Sequence, residues 1–212
     1  MSTTWSPASF LARSNPIGMQ DTSFITPPAA LPLIEARTAE LKFGMASEPR
    51  TGALLQVLAA SKPGGRLLEL GTGTGLATAW LLSGMDESST LTSVDTDAEV
   101  QAVADEALGN DPRLTLVIED GAAFLRRQRP QSFDLVFADA MPGMYESLDV
   151  ALALVAPGGF YIIDDMLPQP NWPEGHDMKA ANLLYTLSSR PGFHMAPLVW
   201  SSGVVVLVRK SR

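Results

Sequence analysis

The chain has no cysteine, which excludes disulfides, thiol nucleophiles and cysteine-ligated metal centres. It also lacks any run or stripe of basic residues. Lysine and arginine number 15 against 23 acids, a net charge of −8, and a surface of that sign repels nucleic-acid phosphates. No apolar stretch is long enough to cross a bilayer, and Met1 to Gly18 lacks the charged-then-apolar order of a secretion signal. These absences predict a soluble, cytoplasmic protein that works on a small molecule, without nucleic-acid or membrane partners and with room for a homodimer. What is present is enough apolar material (46% of 212 residues) for one sizeable core. We expect a single domain over residues 1–212. In it, residues 1–48 form an irregular and helical segment on the substrate side, and residues 49–212 form the ligand-binding core.

Hydrophobic periodicity orders that core. Thr26–Met45 holds a helix-compatible run with Leu33, Ile34, Ala36, Ala39, Leu41 and Phe43 as its apolar face, and Pro49–Ala60 is a second helix. The Lys62–Gly65 turn ends it. Strands then alternate with helices: strands at Arg66–Leu70, Thr90–Asp95, Leu114–Glu119, Phe133–Ala138 and Gly159–Asp164, helices at Gly75–Ser83, Asp97–Leu108, Gly121–Arg127, Tyr145–Val155 and Asp177–Ser189. Two closing strands, His194–Trp200 and Gly203–Arg209, are joined by Ser201-Ser202 alone, too short for a parallel crossover. The fold class expected is therefore α/β: a doubly wound, Rossmann-like seven-stranded sheet of five parallel strands plus a C-terminal antiparallel hairpin, with helices on both faces.

The most informative stretch is RLLELGTGTGLATAW, Arg66–Trp80. An apolar strand runs into Gly71-Thr72-Gly73-Thr74-Gly75 and then into helix-favouring residues, the layout that wraps a nucleotide-like ligand around a strand end. A dinucleotide fingerprint needs glycine or alanine three residues after its second glycine, and Leu76 stands there. Glu69, two residues before the turn, would repel a pyrophosphate and favour a cation or an amine. S-adenosylmethionine carries a sulfonium and an α-amino group and no phosphate, so it is the cofactor expected, with Gly71, Thr72, Gly73 and Gly75 beside it.

In such sheets ligands sit at the carboxyl ends of the strands. Asp95 ends the second strand, about 20 residues beyond the turn, where an acid accepts from a ribose hydroxyl pair; capping the helix at Asp97 is the other use open to it. Asp120-Gly121 follows the third strand, with Asp120 either accepting from an adenine amino group or capping the next helix. Asp139 ends the fourth strand, and Asp164-Asp165 end the fifth. Three carboxylates without a basic neighbour in sequence need neutralising, by a hard divalent cation such as Mg²⁺, or by the cofactor's own positive charge with one acid protonated or hydrogen-bonded.

The Gly-Thr-Gly-Thr-Gly turn after Glu69, with Asp95, Asp139, Tyr145 and the Pro-Gly-Gly…Asp-Asp ending, resembles class I methyltransferases. More narrowly, it resembles the small cation-dependent O-methyltransferases of the catechol and caffeoyl-coenzyme A type, from about Met45 onward. That resemblance implies methyl transfer from S-adenosylmethionine to a catechol- or phenol-like hydroxyl by in-line displacement. It also implies a metal held by Asp139, Asp164 and Asp165, and Met45 and Ser47 closing over the methionine part. In that family the fourth strand is followed by D-x-x-K-x-x-Y and the fifth closes with D-N. Asp139, Tyr145 and Asp164 match; Asp165 replaces the asparagine, and Pro142 stands where the lysine that deprotonates the substrate would be.

With that base missing, deprotonation is expected from a bound metal that lowers the acceptor's pKa, the route favoured, from His176, which can take a proton near neutrality, or from solvent; His176 reads otherwise as a plain surface-loop histidine. His194 reads as structural and Trp80 as core, whereas Trp5 and Trp172 lie in segments able to cover a substrate. A metal-independent methyltransferase, an aminopropyl-transferring relative and a non-catalytic cofactor-binding module all remain open at this point.

Overall fold

The structure, a computed structural model, describes residues 25–211; Trp5 lies outside them. Two helices come first, α1 (Leu31–Glu40) and α2 (Pro49–Ala60). Then follow β1 (Arg66–Leu70), α3 (Leu76–Gly84), β2 (Thr90–Asp95), α4 (Ala98–Leu108), β3 (Leu114–Ile118), α5 (Gly121–Arg126) and β4 (Phe133–Ala138). A short turn, α6 (Met141–Met144), with Pro142 and Gly143 outside helical torsions, leads to α7 (Leu148–Leu154), β5 (Val155–Ile163), α8 (His176–Ser188), β6 (Phe193–Leu198) and β7 (Val204–Arg209). The strands form one seven-stranded sheet in the order β3-β2-β1-β4-β5-β7-β6. The first five run parallel, and β7 is antiparallel to both β5 and β6, as the two-residue connection requires.

Successive strand residues point to opposite faces, and the core divides accordingly. Leu67, Leu91, Leu135, Phe137, Ile162 and Val204 face one cluster, closed by buried residues of α1 to α4 such as Ile34, Leu55, Trp80 and Val103. Their neighbours Leu68, Leu70, Val136, Ala138, Tyr161, Ile163 and Val205 face the other, closed by Phe124 and Leu125 of α5, Leu152 of α7, and Leu183 and Leu187 of α8. With both faces covered, the central strands can be apolar throughout. Among the described residues no helix is long and apolar enough to cross a membrane.

Two local expectations are corrected. The inward face of α1 is Leu31, Ile34 and Thr38, while Leu33 and Leu41 are exposed; Thr38 turns inward because its hydroxyl donates to Ile34 O (2.7 Å) and pairs with the Thr74 hydroxyl (2.8 Å). The helix expected over Tyr145–Val155 begins only at Leu148. Before it Gly143 (φ +95°) and Ser147 (φ +54°) are left-handed. At Gly143 a Cβ would lie 2.6 Å from Leu70 Cδ1, and the Tyr161 hydroxyl donates to Gly143 O (2.5 Å), so the chain is pinned against the sheet before helix can start.

The contact between α2 and α3 gives a test. A Cβ at Gly52 would collide with the buried indole of Trp80, whereas one at Gly44 would meet nothing. Gly52→Ala should lower stability by about 1–3 kcal/mol, the usual penalty for overpacking, and Gly44→Ala should leave it near wild type. Urea unfolding midpoints of the two variants check this.

Candidate active site

Strand order reverses between β1 and β4, so the crevice between their carboxyl ends is where a ligand fits. The two ends are drawn together by backbone. Asp139 N–H donates to Leu70 O (2.9 Å), and Gly71 (φ +97°) lies so close that a Cβ there would be 2.5 Å from the Asp139 carbonyl oxygen. At Gly75 (φ +92°) a Cβ would be 2.7 Å from Ala104 Cβ on α4. These two glycines thus serve chain packing as well as the turn. Gly73 lies between them, its N–H donating to Asp95 Oδ2 (2.8 Å).

The crevice opens into a cavity of about 370 Å³, within the usual range for small-ligand sites. Gly71, Thr72, Gly73 and Asp95 form one wall. Met45, Ser47, Gly121 and Asp139 line it elsewhere. Asp95 is not the cap of α4: Asp97 Oδ1 accepts from Glu99 and Val100 N–H (3.0 and 3.1 Å). Asp95 instead accepts from Asp97 N–H through Oδ1 (3.0 Å) and from Gly73 through the other oxygen, which ties β2 to the turn. Of the two uses expected for Asp120, the cap is the one found. Its Oδ1 accepts from Ala123 N–H (2.8 Å), and Glu119 rather than Asp120 lines the cavity. Gly75 is also off the wall. Phe43 and Val100 contribute apolar lining that carried no motif in the sequence, and Pro142 faces this cavity.

Glu69 corrects an expectation. It sits behind the turn, buried and off the cavity wall. Its Oε2 accepts from Thr78 Oγ1 (2.6 Å) and Ser93 Oγ (2.5 Å). Because Ser93 spends its proton there, the Thr72 hydroxyl must donate to Ser93 (2.6 Å), and Gln101 Nε2 donates to Thr72 (2.9 Å). The chain of donors from α4 thus ends on this carboxyl. Oε1 has no partner among the described residues, and desolvation raises the Glu69 pKa from 4.5 to about 7.

A second cavity of about 400 Å³ shares Met45, Ala46, Ser47, Asp139 and Ala140 with the first. Its further walls include Asp164, Asp165, Trp172, Tyr145, His176 and Ser202. His176, expected either as a base or as a surface-loop residue, is therefore in the site. His194 is exposed on the edge strand β6, and Trp80 is core, as expected. Ser202 was not anticipated, although the topology implies it: β7 runs antiparallel, so the β6–β7 turn lies at the carboxyl ends of the parallel strands. That turn is held firmly. Ser201 Oγ donates to Glu48 Oε2 (2.6 Å), Trp200 Nε1 to Arg50 O (2.9 Å) and Ser202 Oγ to Asp164 Oδ1 (2.5 Å).

The expected three-aspartate cation centre is not assembled. Among the described residues no three His, Cys, Asp or Glu side chains converge as a metal-holding group. Each carboxyl has its own neutral donor: Ser47 for Asp139 (3.0 Å), Ser202 for Asp164, and Trp172 Nε1 for Asp165 (2.9 Å). Asp165 is left-handed (φ +60°). Burial and the neighbouring Asp164 raise the Asp139 carboxyl well above the usual range, and burial raises Asp164 to about 6. Burial and mutual repulsion thus both favour the protonated forms of Asp139 and Asp164.

A seven-stranded sheet of this order, with a glycine turn at the switch point and acids at the strand ends, is a Rossmann-like methyltransferase fold. Residues 68–166 match the family described as a methyltransferase domain. A protein of Mycolicibacterium vanbaalenii named as a candidate O-methyltransferase is 35% identical over 144 residues, covering 66% of this chain and 63% of that protein. Across the first curated relatives the matched stretch spans about half the length, from 44% to 63%. The O-methyltransferase TomG of Streptomyces achromogenes, solved in complex with SAM, superposes with a TM-score of 0.74 at 20% identity, covering 90% of this chain and 94% of that one. An O-methyltransferase of Bacillus cereus in complex with SAH gives 0.75 at 18% identity, covering 89% and 94%. At these identities the two structures speak to the fold.

Glu69 generates a prediction. The folded protein keeps its proton over a pH range in which the unfolded chain has released it, so raising the pH from about 4.5 to about 7 removes stability. The loss is ~3 kcal/mol at most, at 1.36 kcal/mol per pKa unit. Asp139 and Asp164 remain in both proteins when Glu69→Gln is compared with wild type. Urea midpoints measured from pH 4.5 to 7.5 should fall more steeply in wild type than in the variant; parallel curves would show that Glu69 does not titrate in this window.

Proposed function

We propose that the protein is an S-adenosylmethionine-dependent methyltransferase that methylates a hydroxyl oxygen of a small, phenol- or catechol-like molecule. The observation that carries this reading is the pair of cavities meeting at Ser47 and Asp139, one room for a donor and one for an acceptor. The residues present fit the donor. Asp95 offers carboxylate oxygens suited to a ribose diol. The wall at Gly71 and Gly73 is backbone without side chain, and among the described residues no lysine or arginine lines the first cavity to favour a phosphate.

Bound S-adenosylmethionine would supply an electrophilic methyl group on a sulfonium. Met45, Ser47, Asp95 and the glycine turn would hold it, with Asp139 at the junction. A positive charge beside Asp139 favours its carboxylate form, so the proton that burial retains there is released when the site fills. The walls shared by the cavities align the reactants and exclude water from a reaction that consumes charge. The aspartates do not fit a divalent cation, and no step is assigned to one.

Two outcomes follow. Calorimetry should show S-adenosylmethionine and its demethylated product binding and NAD not binding. Asp95→Ala should weaken donor binding by roughly 1.5–3 kcal/mol, the value of charged hydrogen bonds, with part of that loss due to the turn it ties down. Wild-type affinity in the variant, or binding of NAD, contradicts the assignment. Methyl transfer to simple phenols and catechols should also persist in a chelator; activity that collapses and returns with Mg²⁺ would show that the aspartates rearrange to hold it.

A further inference from the structure

Pro142 leaves the acceptor's proton without its expected destination, and the second cavity contains an arrangement that can take it. The loop after β5 folds back so that Trp172, anchored through Nε1–H to Asp165, lays its ring 4.6 Å from the imidazole of His176. Tyr145 meets the same imidazole edge-on at 5.2 Å and 82°, with its hydroxyl 3.1 Å from Nε2. Both residues line the cavity and both are half-buried. Burial and the charge of Asp165 raise the Tyr145 pKa, so the phenol keeps its proton and is the donor in the tautomer whose Nε2 carries none. A phenolic oxygen that donates one hydrogen bond still has lone pairs to accept another, and among the described residues only His176 is bonded to it.

This inference rests on the acceptor occupying the second cavity. We propose that Tyr145 and His176 form a proton relay that ionises the acceptor hydroxyl as methyl transfer occurs. The acceptor O–H bond breaks and its proton goes to Tyr145 Oη, while the Tyr145 proton passes to His176 Nε2. The electron pair left on the acceptor oxygen forms the new O–CH₃ bond as the S–CH₃ bond breaks, and the imidazolium later returns its proton to solvent. Tyr145 is the residue that touches the acceptor; His176 acts through it. The charged and titratable groups around the pair are Asp165 behind Trp172, Asp139, Asp164 and Glu48 on the walls of the second cavity, Asp177 next along α8, and Lys179, whose Nζ lies 6.0 Å from the Tyr145 ring centroid. Ionised acids among them stabilise the imidazolium once formed.

The test uses 4-nitrocatechol, whose ionised form absorbs at longer wavelength, added to the full chain without any methyl donor. Wild type should ionise the bound probe at a pH where the free probe is protonated. Tyr145→Phe and His176→Gln should each bind it, seen by quenching of tryptophan fluorescence, and leave it neutral. In turnover, both variants should lose about 10²–10⁴-fold near neutral pH, the range for a positioned proton acceptor, and recover as pH rises past the acceptor's own ionisation. A merely structural role would give a loss equal at every pH. That result overturns the relay, as does equal probe ionisation in wild type and variants, or a wild type that fails to bind or to ionise the probe. Failure of the donor assignment would appear separately, as absent S-adenosylmethionine binding in calorimetry.

Discussion

The site depends on one close approach of backbone, where Gly71 at the end of β1 lies against the Asp139 carbonyl at the end of β4. Neighbouring parallel strands already run about 4.8 Å apart; a side chain at position 71 would wedge their ends open. Because none is there, the glycine turn and the loop carrying Asp139 share one crevice, and Ser47 can reach across it to the Asp139 carboxyl. Both cavities inherit their common wall from this contact. The left-handed torsion at Gly71 is therefore a requirement of architecture before it is one of ligand binding.

Around that contact the protein buries more carboxyl than it neutralises with cations. Glu69, Asp139 and Asp164 receive hydroxyl donors from serine and threonine in place of lysine or arginine. A neutral donor stabilises a carboxylate less than an ion pair does, so burial prevails and the pKa values of these acids rise.

Much of the fold could be read from the chain because its cues are local. Alternating strand and helix patterns, the glycine turn and the two-residue Ser201-Ser202 connection each act within a few residues. The first cavity was legible for the same reason, since its wall comes largely from one strand–turn–helix unit. Glu69 was misplaced although the alternation already contained the answer. It shares parity with Leu67, so it points to the face covered by α3, where Thr78 meets it, and away from the crevice that opens beyond Leu70. The aspartates looked convergent because strand ends converge, but the separate donors that hold them, Ser47, Ser202 and Trp172, are not written in any periodic pattern. The Tyr145–His176 pair was hidden by distance: the partners lie 31 residues apart, and nothing in either segment names the other.

The hairpin turn carries an implication for how the molecule comes into being. The walls of the first cavity are drawn from residues no later than Pro142, but the second needs Ser202, and its neighbours Trp200 and Ser201 reach back 150 and 153 residues to α2 and the residue before it. Contacts of such sequence separation form late, and during synthesis they must wait for the chain to emerge. A nascent chain can thus carry the full sequence of its first cavity well before the second can close, because the second waits for the last strands to emerge.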